Sequence, residues 1–265
     1  MFKFPFTFSP FTTDLSKRWE KIVTLRSARA YAASITLTDG RIWILGGLGV
    51  DSVLKTTEIL AETSTGGWKS HKGPNLPKAL FGHCIEHLQH GRLLLTGGFD
   101  GSDQTDTSEE FEWNDELSGK WFSKPWSAMT TKRYDHACYS VGGIVHVTGG
   151  WNEDITQKLI TERYNPTRMN WEKADFDFND RPILRSAIVG VSEGKLALIG
   201  GVSCEVGNDL RNGNRCTKHK EGYTLELNDS KQPEWKNTTH VIVVSRSSHT
   251  GVVVPTSIDF ACKVE

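Results

Sequence analysis

Short apolar runs bounded by turn residues dominate the chain, and four of them lead into a diglycine. The runs are Ile42-Trp43-Ile44-Leu45, Leu93-Leu94-Leu95-Thr96, Ile144-Val145-His146-Val147 and Leu196-Ala197-Leu198-Ile199. The diglycines are Gly46-Gly47, Gly97-Gly98, Gly149-Gly150 and Gly200-Gly201, so their first residues are 51, 52 and 51 positions apart. Another glycine (Gly40, Gly91, Gly143, Gly194) stands six residues before each pair, in dipeptides such as Asp39-Gly40 and Gly142-Gly143. Asp-Gly and Gly-Gly between apolar runs predict tight hairpins, because a type I′ turn needs positive φ at both central residues. Upstream of each turn lies a further strand-like run, as in Ala32-Ala33-Ser34-Ile35-Thr36-Leu37. Downstream of the diglycines come Thr57-Glu58-Ile59-Leu60, Glu109-Glu110-Phe111-Glu112, Thr161-Glu162-Arg163-Tyr164 and Thr224-Leu225-Glu226-Leu227, then Trp68, Trp121, Trp171 and Trp235. No stretch sustains a helical period, so the pattern predicts one four-stranded unit copied along the chain.

Apolar strand, Gly-Gly, a Thr-Glu strand, Trp, then Arg-x-x-His (Arg133 and His136, Arg246 and His249) resembles the kelch repeat over nearly the whole chain. The resemblance implies an all-β, kelch-type β-propeller of four-stranded blades around a central channel. The run before each diglycine is apolar on both faces, and is expected as the innermost strand, between neighbouring blades. The glycines that end it lack Cβ atoms and allow backbones to crowd. Trp19, Trp68, Trp121, Trp171 and Trp235 are expected to fill the space between blades from the third strand.

The repeats fall near 41–91, 92–143, 144–194 and 195–257 within a single domain, 1–265. Termini 1–40 and 258–265 are expected to share a closing blade: a strand within Phe6–Phe11 and Trp19 from one end, Ile258-Asp259-Phe260-Ala261-Cys262 as an inner strand from the other. That closure gives five blades; the alternative is an incomplete six-bladed propeller.

Charge narrows the partners. With 31 basic and 32 acidic residues, no global field draws nucleic acid or an acidic membrane surface. No apolar run approaches the ~20 residues that span a bilayer, so no membrane insertion is expected, and the chain is read as a monomer. Pro5, Pro10 and polar residues break any signal-peptide core near the N-terminus, which favours a cytoplasmic location.

Five cysteines leave the compartment open. Cys84 and Cys138 are read as occupying the same place in the outer strand of successive repeats, as small buried apolar residues. Cys204 and Cys216 flank a Gly/Asn-rich insert peculiar to the fourth repeat, where a disulfide would restrict the loop and point to an extracellular protein; the alternative is two free thiols. Two glycosylation sequons, at Asn228 and Asn237, lean the same way.

Chemistry-bearing patterns are sparse. His83, His136 and His249 sit at equivalent repeat positions and are expected to be structural, bonding neighbouring backbone. The acids of Phe99–Asp106 depart from calcium-loop spacing, and no compact metal-ligand cluster, nucleophile elbow or phosphate-binding glycine loop occurs. No catalytic residue, metal or cofactor is therefore assigned. The expected function is a non-catalytic platform binding a peptide or protein partner through loops of one propeller face. Trp151, Arg211, Arg215 and Lys218 are candidate contacts on one face, and Arg168 on the other. The alternatives are an extracellular glycan- or receptor-binding propeller, and a channel-site enzyme resembling sialic-acid mutarotase or galactose oxidase.

Overall fold

Each diglycine repeat forms an antiparallel sheet of four strands in chain order, as the hairpin signals predict. A computed structural model describes residues 6–7, 20–115, 117–123, 127–141, 143–152, 160–174, 186–192, 195–205, 215–218, 222–226 and 235–237. The dipeptides β1 (Phe6–Thr7) and β2 (Glu20–Lys21) pair near the N-terminus. Sheet 1 holds β3 (Ala33–Thr36), β4 (Ile42–Leu45), β5 (Thr57–Glu62) and β6 (Trp68–Lys72). Sheet 2 holds β7 (Cys84–His87), β8 (Leu93–Thr96), β9 (Ser108–Trp113) and β10 (Gly119–Ser123). Sheet 3 holds β11 (Ala137–Val141), β12 (Ile144–Thr148), β13 (Glu162–Asn165) and β14 (Asn170–Lys173). In the fourth repeat, β15 (Ala187–Ser192) and β16 (Lys195–Ile199) are followed by a separate hairpin, β17 (Val202–Glu205) with β18 (Arg215–Lys218). Sheet 4 then resumes with β19 (Gly222–Glu226) and β20 (Trp235–Asn237). Among the described residues there is no α-helix.

The strand order corrects one expectation. The first strands β3, β7, β11 and β15 touch one another in succession, while the diglycine strands β4, β8, β12 and β16 stand second in their sheets. The strand beginning each sheet, not the diglycine strand, is therefore innermost, and the tryptophans lie on the fourth strand, not the third. Apolarity on both faces reports a strand hydrogen-bonded on both edges and covered on both sides. Leu93, Leu94 and Leu95 of β8 are all buried. That signal does not report distance from the axis. Trp19, Phe11 and Ile258–Cys262, on which the closing blade depends, lie outside the described residues.

Successive sheets are joined at the diglycines. Gly47 N–H donates to Leu80 O (2.8 Å) and Gly98 N–H to Arg133 O (2.9 Å), each carbonyl lying just ahead of the next sheet's first strand. Gly46 and Gly97 both take φ of +55°; a Cβ at Gly46 would stand 2.5 Å from Leu80 O and 2.9 Å from the His83 ring. Two buried arginines hold the diglycine turns from within their own sheets. Arg29 donates to Gly46 O and Thr56 O and pairs with Glu58 at 3.0 Å; Arg133 donates to Gly149 O and Ile160 O and pairs with Glu162 at 2.5 Å. Burial alone would raise the Glu58 carboxyl, but donors from Ser70, the Arg26 and Ser27 amides and Arg29 hold it below its ordinary value.

Aromatic rings fill the space further out. Trp43 of β4 packs on Phe111, Trp113 and Trp121 of sheet 2, with centroids 4.7, 4.8 and 5.8 Å away. Trp171 of β14 is buried and donates its indole N–H to Ser108 Oγ (2.7 Å) and Ser127 O (2.9 Å), tying sheet 3 to sheet 2.

A disulfide, Cys84–Cys138, joins the first strands of sheets 2 and 3, with Cα atoms 6.0 Å apart. This corrects the reading of the two cysteines as unlinked apolar residues in equivalent places. Cys84 pairs with Thr96 and Ala137 with Thr148, each partner directly preceding a diglycine, so the counterpart of Cys84 is Ala137. Cys138 is one residue further on, and one step along a strand turns a side chain to the opposite face. Each sulfur is thereby directed at the neighbouring sheet.

Two stability measurements follow. The bridge closes a 54-residue separation, for which the loop-closure relation gives about 4 kcal/mol; Cys84→Ala/Cys138→Ala should melt well below the oxidised wild type, and a melting temperature equal to it would contradict a stabilising bridge. Trp171→Ala should cost ~3–5 kcal/mol in a urea titration, and a midpoint equal to wild type would contradict the inter-sheet placement of the indole.

Candidate interaction face

Strand alternation sorts the connections onto two faces. The loops after each diglycine and the connections between sheets emerge on one, here the diglycine face. The tight turns within the β3–β4 and β5–β6 hairpins and their counterparts emerge on the other. On the diglycine face the ladder continues past the strand ends through isolated backbone pairs: Ala30 with Leu48, Phe81 with Phe99, and Tyr134 with Trp151. The residue after each of the first three diglycines is thus locked by two hydrogen bonds to the approach of its own first strand. For Phe81 and Phe99 these bonds measure 3.0 and 2.9 Å, and for Tyr134 and Trp151 3.1 and 2.8 Å.

A second chain of backbone bonds runs from sheet to sheet beside this ladder. Gly82 N–H donates to Tyr31 O (2.9 Å) and Asp135 N–H to Gly82 O (2.8 Å). The three equivalent residues have φ of 53°, 62° and 54°. For Tyr31 and Asp135 the left-handed conformation costs about 1–2 kcal/mol each, which the repeated hydrogen bonding sustains.

The side chains on this framework form an aromatic surface. Phe81 lies 6.2 Å from Tyr31, 5.4 Å from Phe99 and 6.1 Å from Tyr134, and Phe99 lies 5.5 Å from Tyr134. Phe81, Phe99, Tyr134 and Trp151 are half-buried. Tyr31 is 45% exposed and Val50, on the neighbouring loop, 77%. They are two of the three exposed large hydrophobic residues among the described ones, and Leu117 on the opposite face is the third. The surface is edged by the ion pairs Lys78–Asp100 and Lys132–Asp103. Lys78, the Ser102 hydroxyl and amide, and the Asp103 amide hold the Asp100 carboxyl far below the usual carboxylate range. Such an arrangement offers rigid ring faces to a ligand within a polar border.

Of the residues singled out in the sequence, Trp151 belongs to this surface. Arg215 and Lys218 end β18, in the hairpin that directly follows Gly200-Gly201, and so fall on the same face. Arg211 lies outside the described residues. Arg168 is exposed in the β13–β14 turn on the opposite face and pairs with Glu172 at 3.4 Å. Sequence reading missed Tyr31, Val50, Phe81, Phe99 and Tyr134. A signal was present, since Leu48, Phe99 and Trp151 occupy one repeat position and Ala30, Phe81 and Tyr134 another, and each column turns aromatic.

His83 and His136 are buried structural groups, but they do not bond backbone as expected, and His249, with Arg246, lies outside the described residues. His136 Nε2 lies 2.9 Å from the Thr96 hydroxyl of the preceding sheet. Leu45 stands at the position equivalent to Thr96, and neither ring nitrogen of His83 is hydrogen-bonded. Among the described residues no group of three or more His, Cys, Asp or Glu side chains is placed to hold a metal ion.

Burial lowers His83 and His146 to about 4, and burial together with the Arg133 charge holds His136 well below its ordinary value of 6.5. These rings stay neutral in the folded state while the unfolded chain protonates near 6.5, so their stabilisation is complete above about 6.5 and is lost as pH falls towards 4. Glu86 works in the opposite sense: burial raises it to about 7 from 4.5. Three imidazoles outweigh one carboxyl, so the urea midpoint should be lower at about pH 5 than at about pH 7. His83→Gln should flatten that dependence; a midpoint that rises on acidification would refute the assignment.

No protein-family model matches the chain, and no curated protein matches it. Among solved structures the fold is similar to that titled "Structure of YjhT", with a TM-score of 0.61 at 15% sequence identity. The likeness covers 83% of this chain and 68% of that one. At this identity it is a likeness of fold: an all-β, propeller-like assembly of four-stranded antiparallel sheets.

Proposed function

We propose that residues 1–265 form a kelch-type β-propeller closed by five blades, and that it is a non-catalytic platform gripping a peptide or protein partner on its diglycine face. The sheets at 33–72, 84–123, 137–173 and 187–237 supply four blades. The paired dipeptides β1 and β2 belong to the fifth, which the two ends of the sequence share. The observation that carries the functional reading is the aromatic surface of Tyr31, Phe81, Phe99, Tyr134 and Trp151 with exposed Val50. Aromatic clusters of this kind are enriched at protein interfaces and depleted on inert surfaces. Strand order adds support. In kelch adaptors, which this chain resembles, the connections between second and third strands grip the peptide. With the first strands innermost, those connections are the loops after the diglycines, so Trp151 and the β17–β18 hairpin belong to the gripping face and Arg168 does not.

The Cys84–Cys138 disulfide favours a second reading, because disulfides persist in oxidising compartments. In that reading the propeller is extracellular and the rings stack on a glycan or a receptor loop. Arrays of peptides and of glycans, probed with the labelled wild-type protein, separate the two. Tyr31→Ala/Val50→Asp should weaken the bound ligand at least about tenfold with the melting temperature unchanged, while Arg168→Ala should leave affinity intact. Binding that survives the first variant and is lost in the second would overturn the choice of face.

A further inference from the structure

We infer that Cys204 and Cys216 form a cross-strand disulfide that ties together the two strands of the β17–β18 hairpin near the loop between them, independently of what the diglycine face binds. Backbone register carries the inference. The two cysteines stand directly opposite one another in an antiparallel pair, between Ser203–Thr217 and Glu205–Arg215. Opposed residues in such a ladder hold their Cα atoms about 4.5 or 5.5 Å apart, and both spacings fall in the roughly 4.4–6.8 Å window that a disulfide spans without backbone movement. Spacing along the sequence shows only that the two cysteines flank an insert; the register makes them partners. The chain's other bridge joins Cys84 to Cys138, which leaves Cys262 as the single remaining cysteine.

The bond forms by thiol–disulfide exchange with a small-molecule or protein disulfide, for which glutathione disulfide serves as the probe. One cysteine thiolate attacks a glutathione sulfur, giving a mixed disulfide and expelling one glutathione thiolate. The second cysteine attacks the mixed disulfide, closing the bridge and expelling the other. Two thiols are oxidised, one disulfide is reduced, and the two thiol protons pass to the departing glutathiones. The hairpin follows Gly200-Gly201 on the diglycine face, and the bridge joins its strands between Lys218, at the base, and Arg215, on the loop side.

The full-length protein, equilibrated in reduced and oxidised glutathione, alkylated and digested with trypsin without reduction, tests this. The expected product is peptide 196–211 joined to peptide 216–218, lighter by two hydrogens than the pair of free peptides and separated by reductant. Cys262→Ser should leave that species unchanged, whereas Cys216→Ser should abolish it and leave Cys204 alkylated. Recovery of both peptides alkylated from wild type, or of either one joined to Cys262 or to glutathione, would overturn the inference.

Discussion

The structure depends on a close approach that only a side chain of one hydrogen permits. At each described junction the carbonyl ahead of the next sheet's first strand enters the space where the first glycine would carry a Cβ, and the second glycine's N–H answers it. The same turn is held from inside its own sheet, where Arg29 and Arg133 donate to Gly46 O and Gly149 O. A buried ion pair returns little net stability, because desolvation offsets the Coulomb gain. Its effect here is geometric: the guanidinium fork fixes the carbonyls of the turn relative to the Thr-Glu strand. Sheet position and turn conformation are therefore set by one shared group of atoms.

Small departures from the repeat show how much that geometry tolerates. His136 finds a hydroxyl on Thr96, whereas the preceding repeat has Leu45 at that position and leaves His83 without one, yet both rings stand against the preceding glycine in the same way. Leu80 stands where Arg29 and Arg133 stand in the flanking sheets, and still supplies the carbonyl that Gly47 requires. The backbone contact is the constant feature and the side chains around it vary. That is why the repeat could be recognised from glycines and turn residues while its side-chain chemistry differed from copy to copy.

Much of the fold was legible for the same reason. Gly40 and Gly143 mark hairpins because positive φ is written into residue identity, and Trp171 marks an inter-sheet contact because a large ring needs cover. Strand phase was misread because Ile44 and Leu94 advertise burial, and a second strand with partners on both edges is as buried as any. The disulfide was hidden by a one-residue slip in aligning Cys84 with Cys138, which moves a side chain to the other face of its sheet. The aromatic surface was hidden differently. Phe99 sits in an acidic loop segment, and Phe81 and Tyr134 carry no signal of exposure; only the backbone pairs beyond the strand ends bring the three together at the rim.

Those rim residues separate stability from recognition. The core runs through Trp43, Phe111 and Trp171, all buried and all between sheets. Tyr31 and Val50 add almost nothing to it, and an exposed, solvent-screened pair such as Lys132–Asp103 contributes little. Backbone hydrogen bonds hold Tyr31 in the left-handed region, and Val50, left in water, gains no burial energy from folding. The backbone chain through Tyr31, Gly82 and Asp135 nonetheless holds the rim rigid, so a ligand meeting these rings loses little freedom to loop ordering. An ordered apolar surface that the fold does not need, on a frame that leaves it no room to collapse, is what a recognition face requires.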